Sequence, residues 1–316
     1  MRCLLYTDPH FSQYSSIVRK RDNPYSLRLK NEIESISWAE EQADKYNCDK
    51  IICLGDFFDR ADLNAEEITA LQDITWSSKP HYFLVGNHEM GINDLSFSSA
   101  HLLKMIPDVQ VIDKPDMICG FGYELIFLPY MLESNRKTIS EYVNKVTSDF
   151  YRNTMITQEV KNRIILSHND ISGIRYGQII SKIGFDIKDI EDNCSLYING
   201  HLHNQQQVSD KIFNLGNLTG QNFSEDAEKY NHCIGILDTA TMKLDLIVNP
   251  YALNFYKLEM VEDYSYIKLK DKLETFSNAI VSLKIPQSKI TEVKELLSTL
   301  TNIVEYRLIS VNDVSD

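Results

Sequence analysis

The chain has 316 residues, 43% of them hydrophobic and 24% charged, enough for one large domain and a smaller one. No apolar run approaches the roughly 20 residues needed to cross a bilayer, and the net charge of -13 excludes a surface that grips nucleic acid by charge alone. The six cysteines (Cys3, Cys48, Cys53, Cys119, Cys194, Cys233) are scattered with no CxxC pair. They read as thiols of a reducing cytosol, not as a disulfide framework or a zinc knuckle.

In chain order, RCLLYT (2–7) reads as a first strand and is too short for a signal peptide. Over 25–47, Leu29, Ile33, Ile36, Ala39, Ala43 and Tyr46 recur at three and four, which predicts an amphipathic helix covering a sheet. KIICLG (50–55) is a second strand closed by Gly55. A helix over 64–77 follows, with Asn64 as N-cap and Glu66 and Glu67 in its first turn. HYFLVG (81–86) is a third strand, closed by Gly86. This alternation of apolar strands and helices predicts a sheet covered on both faces by helices. Further strands are read at 124–130, 162–168, 195–200, 211–217, 233–239 and 243–249. The texture changes near 250–262. AIVSLKIP (279–286), SKITEVKELLSTL (288–300) and NIVEYRLIS (302–310) then form a βαβ unit. The boundary is placed at about 260, giving domains 1–260 and 261–316.

Five strand ends carry Asp, Asn or His. They are TDPH (Asp8, His10), GDFFD (Asp56, Asp59), GNHE (Asn87, His88), SHND (His168) and NGHLH (His201, His203). Functional groups gather at the carboxyl ends of strands in open α/β sheets, so loops far apart in sequence can converge there. Each block alone is weak. Together, in this order, they hold five of the eight histidines; His81, His101 and His232 are read as structural. Imidazole and carboxylate without thiolate suit Mn, Fe, Zn or Ni. Asp8, His10, Asp56, Asn87, His168, His201 and His203 are too many ligands for one tetrahedral ion. They fit two ions if one carboxylate bridges, the arrangement for in-line displacement at phosphorus. Gly55, Gly86 and Gly200 each end an apolar strand just before a ligand, where a missing Cβ permits a sharp turn and close approach.

These blocks resemble the calcineurin-like metallophosphoesterases: D-x-H, G-D-x-x-D, G-N-H-E, a lone histidine after a strand, and G-H-x-H. The resemblance implies an α/β metallophosphoesterase fold, with two mixed β-sheets sandwiched by helices and a small C-terminal βαβ capping domain. Within that superfamily the chain is most similar to the SbcD-type double-strand-break nucleases and the related nuclease subunit of bacteriophage recombination complexes. The similarity rests on PDVQVIDKP (107–115), NLGNLTGQNFSEDAEKYNHCIGILD (214–238) and the terminal βαβ unit. It implies that Asp8, His10, Asp56 and His203 hold one ion, while Asn87, His168 and His201 complete a second across a bridging Asp56. His88 would be the unligated catalytic histidine, oriented by Asp59, and the two divalent ions would be Mn2+. Two divalent ions set against Asp8 and Asp56 leave about +2 at the site, a local source of positive charge for phosphate.

The function implied is a metal-dependent DNA nuclease, exonuclease and endonuclease, acting on double-stranded ends and single-stranded DNA. The implied partners are an ABC-type ATPase subunit and a second copy of the chain, in a bacterial or phage-infected cytoplasm, with no membrane. One alternative is a phosphomonoesterase or small phosphodiesterase, because GDFFDR with GNHE also resembles serine/threonine phosphatases in which the arginine, here Arg60, grips phosphate. Against it, SHNDISG lacks their Gly-Gly after the later histidine. A non-catalytic scaffold is disfavoured because no ligand is missing. The pair Phe57 and Phe58 reads as loop packing rather than base stacking.

Overall fold

The computed structural model describes residues 1–156, 159–176, 179–225 and 227–312. Its main elements are β1 (Arg2–Tyr6), α1 (Leu27–Lys45), β2 (Lys50–Cys53), α2 (Ala65–Ala70), β3 (His81–Leu84), β4 (Val109–Ile112), β5 (Asp116–Gly120), β6 (Tyr123–Leu128), α3 (Ile139–Thr154), β7 (Asn162–Ser167), α4 (Ile187–Asn193) and β8 (Leu196–Asn199). They continue with β9 (Gln206–Gln207), β10 (Ile212–Asn214), β11 (Cys233–Asp238), β12 (Lys243–Val248), β13 (Asn254–Glu259), α5 (Tyr266–Glu274), β14 (Ala279–Pro286), α6 (Ile290–Thr299) and β15 (Ile303–Val311).

Two six-stranded mixed sheets face each other. The first runs β12-β11-β1-β2-β3-β4, with β1 to β4 parallel and β11 and β12 antiparallel; the second runs β9-β10-β8-β7-β6-β5. Strand residues alternate between two faces, so each strand feeds two cores. From β1, Cys3 and Leu5 point between the sheets, where they meet Phe127, Leu166 and Ile198. Leu4 and Tyr6 point the other way, onto Leu29, Ile36, Ala39 and Ala43 of α1. The second sheet does the same, with Ile126, Ile165 and Tyr197 packing on Ile139, Tyr142 and Val143 of α3. The layers are therefore helix, sheet, sheet, helix. The first sheet is covered by a helix on one face only. Its continuous apolar strands reflect the second sheet on the other face, which corrects the reading of helices on both.

Caps set the helix starts. Ser26 accepts from Leu29 N at the head of α1, and Asn64 with Glu67 forms a reciprocal capping box on α2. The α2 helix stops at Ala70, followed by a 3-10 turn over Leu71–Asp73, well short of residue 77. The cause is α1: Ser37 Oγ takes the amide of Thr75 and Glu40 takes that of Ser77, drawing this segment into an extended path.

The C-terminal unit is an all-parallel sheet, β13-β14-β15, packed on α5 and α6 through Leu258, Leu269, Leu273, Leu283, Val293 and Leu296. It begins at Asn254, earlier than residue 260, and contains a strand and a helix besides the βαβ unit read from the sequence. A small cluster of Val18, Phe223, Leu253, Phe255 and Ile280 joins it to the body. Among the described residues no helix is long and apolar enough to cross a membrane. All six cysteines are free thiols.

Candidate metal centre

The strand ends β1, β2, β3, β7 and β8 bring their polar residues to one place. Three overlapping groups each have ligand atoms within 4.8 Å of one another: Asp8, His10 and His203; Asp56, His168 and His201; and His10, Asp56 and His88. His10 and Asp56 are common to two groups, so the cluster is continuous. Asn87 stands beside it, its Oδ1 buried and without a partner. The next residue donates its backbone N–H to Asp56 Oδ1 at 2.9 Å.

The backbone is bent to achieve this. Asp8 (φ 50°), His10 (φ 50°), Asp56 (φ 47°) and His201 (φ 70°) all lie in the left-handed region. Such residues cost about 1–3 kcal/mol each and persist where surrounding bonds over-determine them. Here Asp8 N donates to Gly55 O and His10 N to Asp56 O, both at 3.1 Å. His201 N donates to Asp8 Oδ2 at 2.9 Å, and the buried Arg28 guanidinium donates to His10 O at 3.1 Å. Two glycines are required by contact. A Cβ on Gly86 would lie 2.0 Å from Asp56 Oδ1, and one on Gly200 would lie 2.2 Å from Thr7 Oγ1 and 3.0 Å from His168 Nδ1.

The ring nitrogens show what the cluster is built to hold. His168 Nδ1 faces Leu54 O at 2.8 Å. A carbonyl only accepts, so Nδ1 carries a proton and Nε2 is the atom turned toward the cluster. That Nε2 is 3.1 Å from Asp56 Oδ2, a contact held by a proton in the metal-free protein and open to a cation in its place. His10 Nδ1 meets Asp59 Oδ1 at 3.2 Å and His203 Nδ1 meets Glu225 Oε1 at 3.2 Å, which leaves their two Nε2 atoms facing each other at 3.2 Å. His201 Nε2 meets Asp170 Oδ1 at 3.2 Å, leaving Nδ1 as its ligand atom. Carboxylates and carbonyls behind ligating histidines set tautomer and ring orientation in metal sites. Asp8 Oδ1, like Asn87 Oδ1, is buried without a hydrogen-bond partner. The residues present fit two cations.

The titration behaviour agrees. Burial alone would push the His10 and His168 imidazoles down. The carboxylates around them win, raising His10 to about 10 through Asp59, Asp8 and Asp56, and His168 to about 9 chiefly through Asp56 and Asp8. Burial likewise pushes the Asp8 carboxyl up, yet the charges of His168, His10 and His203 hold it at about 2. Asp56 lies lower still, for the same reasons. This is an acidic cradle that draws positive charge. His88 differs: burial holds it below the usual imidazole range although Asp56 pulls upward.

The sequence model of the calcineurin-like phosphoesterase family matches residues 1–205. The chain is a calcineurin-like phosphoesterase. It is 25% identical over 152 residues to the 244L protein of Invertebrate iridescent virus 6, which is named as a phosphoesterase; the match covers 47% of this chain and 49% of that one, so it spans about half of the relative's length. Similar solved structures include a dimetal phosphatase from Danio rerio (12% identity, TM-score 0.46, covering 79% of this chain and 99% of that one) and a protein from Thermus thermophilus (11% identity, TM-score 0.46, covering 78% and 98%). The family is one of hydrolases that use divalent metals.

The groups Asp8, His10, His203 and Asp56, His168, His201 lie within the two ligand sets that the resemblance implies, without Asp56 in the first and Asn87 in the second, and the third group, His10, Asp56 and His88, spans them. Asp59 meets His88 through its backbone: His88 Nδ1 donates to the Asp59 carbonyl at 3.2 Å and stands 3.8 Å from the Asp59 carboxylate, which takes His10 Nδ1 at 3.2 Å. Sequence reading missed Asp170 and Glu225, the carboxylates behind His201 and His203. Asp170 sits two residues past His168 and could have been suspected; Glu225 carries no local signal. Glu89 closes the GNHE motif. It is fully buried, accepts from Gly86 N and Phe58 N, and so ties the third motif to the second. His81 pairs with buried Glu40 and His101 with Asp113, away from the cluster. His232 lies behind Glu225, 4.0 Å from Oε2. Phe57 and Phe58 are completely buried.

Proposed function

We propose that this phosphoesterase is a manganese-dependent DNA nuclease of the SbcD type, working as a homodimer with an ABC-type ATPase partner in the cytoplasm of a bacterium or phage-infected cell. The observation that carries the diesterase reading is His88. Its side chain is 44% exposed, whereas those of Asp8, His10, Asp56 and His168 are 2% or less. An open imidazole beside ligands that reach solvent only at His201 and His203, 17% and 24% exposed, and at partly buried Asn87 suits a substrate that extends past the site on both sides. Arg60 supports a diester over a monoester: its guanidinium is held by Glu67 Oε1 and by Asp62 O, both at 2.8 Å, and is not held out to clamp a dianionic phosphate. The C-terminal unit supports a cap, because Phe223, two residues from Glu225, packs against its Phe255 and Ile280.

Two bound divalent ions would activate water for attack at phosphorus and neutralise phosphate oxygens. Asp8, His10, Asp56 and His203 would hold one, and Asp56, Asn87, His168 and His201 the other. Asp59, Asp170 and Glu225 fix which nitrogen each ring presents. His88 Nδ1–H donates to Asp59 O at 3.2 Å and turns Nε2 outward; with the ring held below the usual imidazole range that Nε2 is unprotonated near neutral pH, so it would protonate the departing oxygen only after taking up a proton from solvent. Linear duplex DNA with Mn2+ should be degraded by the wild type, and His88→Ala should lose about 10²–10⁴ in rate. Unchanged cleavage by His88→Ala would remove its assigned role. A wild type that hydrolyses a phosphomonoester but not DNA would favour the phosphatase reading. Co-purification of an ABC-type ATPase from the native host tests the partner.

A further inference from the structure

We propose that Tyr14, backed by Arg60, is a stacking platform for the nucleobase next to the scissile phosphate. This rests on the diesterase reading and says how an acidic chain holds its substrate. With a net charge of -13, affinity for a polynucleotide has to come from something besides surface charge, and every base has a π-face that an aromatic ring can take.

The loop after His10 is laid along the loop after Asp56. His10 N donates to Asp56 O, Phe11 N to Phe57 O, and Phe11 bridges to Phe58. Tyr14 therefore lies beside Arg60, the residue after the one whose carbonyl holds His88. The Arg60 guanidinium carbon is 4.1 Å from the centroid of the Tyr14 ring. The ring is nevertheless 55% exposed. Phe11, Phe57 and Phe58 in the same two loops are fully buried, so Tyr14 is the aromatic residue of this pair of loops that is open to solvent.

An exposed Tyr–Arg contact alone is worth about 0.5–1 kcal/mol and proves little. What sets this one apart is Glu67, which is 0% exposed. Its Oε1 accepts from Arg60 at 2.8 Å, from Ser12 Oγ at 2.9 Å and from Gln13 N at 3.0 Å, while Oε2 accepts from Asn64 N at 3.0 Å. Ser12 Oγ in turn accepts from Tyr14 N at 3.2 Å. One buried carboxylate thus positions both the arginine and the backbone that carries the tyrosine. Burying a carboxylate is costly unless its lone pairs are taken, and here four donors take them. The product is an aromatic face fixed in advance, which loses little conformational freedom when a base lands on it.

Two chromogenic diesters with the same leaving group test this: thymidine 5′-(4-nitrophenyl) phosphate, which carries a base, and methyl 4-nitrophenyl phosphate, which does not. The quantity read is the ratio of kcat/KM on the first to that on the second, in Mn2+. Tyr14→Ala and Tyr14→Leu should each lower the ratio about tenfold, the scale of stacking on one base, and Tyr14→Phe should keep it within about twofold. An unchanged ratio in Tyr14→Ala overturns the platform while DNA cleavage can still stand. Retention by Tyr14→Leu also overturns it, since apolar bulk would then suffice. If the ratio falls as stated but the wild type leaves DNA intact, the platform stands and the nuclease reading falls. A wild type that hydrolyses neither diester overturns both.

Discussion

The strand-end cluster and the C-terminal sheet obey different rules. In the cluster, four non-glycine residues hold left-handed backbone, and Asp8 Oδ1 and Asn87 Oδ1 are buried without hydrogen-bond partners. In the described part of the C-terminal unit, Asn254 to Asn312, only Asn278 has a positive φ among non-glycine residues, and no buried side-chain nitrogen or oxygen lacks a partner. Its three strands are parallel and its core is mostly aliphatic, with Phe276 stacked on Tyr256. Proteins break local rules where they function and follow them where they only need to be stable. The same chain thus has a region built for a ligand and a region built for packing, and substitutions in the two should fail in different ways.

The largest effect is expected from Asp56→Ala. It removes the carboxylate common to two ligand groups and the acceptor for His88 N. Metal-borne charge stabilisation is worth several kcal/mol, so kcat/KM should fall by about three orders of magnitude. Elemental analysis should show metal content falling with it. Full metal content with full activity would break the comparison at its strongest point.

Leu283→Ala tests the other side. Leu283 is fully buried between the C-terminal strands and helices, and its truncation should cost about 2–5 kcal/mol in denaturant unfolding. Manganese affinity should not move. If it does, the two regions are coupled through Phe223 and Phe255, which touch across the join at a centroid distance of 5.2 Å.

A finer cut separates the two ligand sets. Glu225→Gln loosens His203, and Asp170→Asn loosens His201. Losing such an outer partner typically costs 10–100-fold in metal affinity. Each variant should lose that much, about tenfold to a hundredfold, for one ion and leave the other nearly unchanged. Equal loss of both ions from each variant would mean that the histidine pair serves a single site.

Much of this was legible in the sequence, and the reasons are physical. An apolar strand ended by glycine and followed by Asp, Asn or His is readable because the turn, the close approach and the ligand are all local to a few residues. Gly86 and Asp56 show the principle, since the missing Cβ of one makes room for the carboxylate of the other. What covers a strand's second face is not local. Cys3 and Leu5 look the same whether a helix or a sheet packs on them, so the second sheet was invisible in β1 itself. The end of α2 was set by Ser37 and Glu40 on another helix, and the contact of the Asp59 carboxylate with His10 joins two loops far apart in sequence. The platform carboxylate Glu67 read as a helix-start residue, which it is, but its three bonds to residues 12, 13 and 60 are tertiary.

The smallest expected effect is in pH, and it follows from the cradle's pull on positive charge. In the metal-free protein His10 and His168 titrate at about 10 and about 9, above the free imidazole value of 6.5. A histidine with a raised folded-state pKa contributes stability that is complete below its unfolded value and disappears as pH rises through the folded one. The metal-free protein should therefore melt at progressively lower temperature from about pH 6.5 to about pH 10. Asp8, held at about 2, acts at the other end, its contribution vanishing as pH falls toward that value. A cation that takes the same nitrogens has to displace their protons, so manganese uptake at pH 7.5 should release protons and tighten as pH rises. Calorimetric titrations in two buffers of different ionisation enthalpy measure that number directly. A value between one and two is expected from His10 and His168, and a manganese-loaded protein should lose the alkaline slope of its melting curve. Zero release with the slope unchanged would mean that the metal binds elsewhere and that the strained strand ends are not its site.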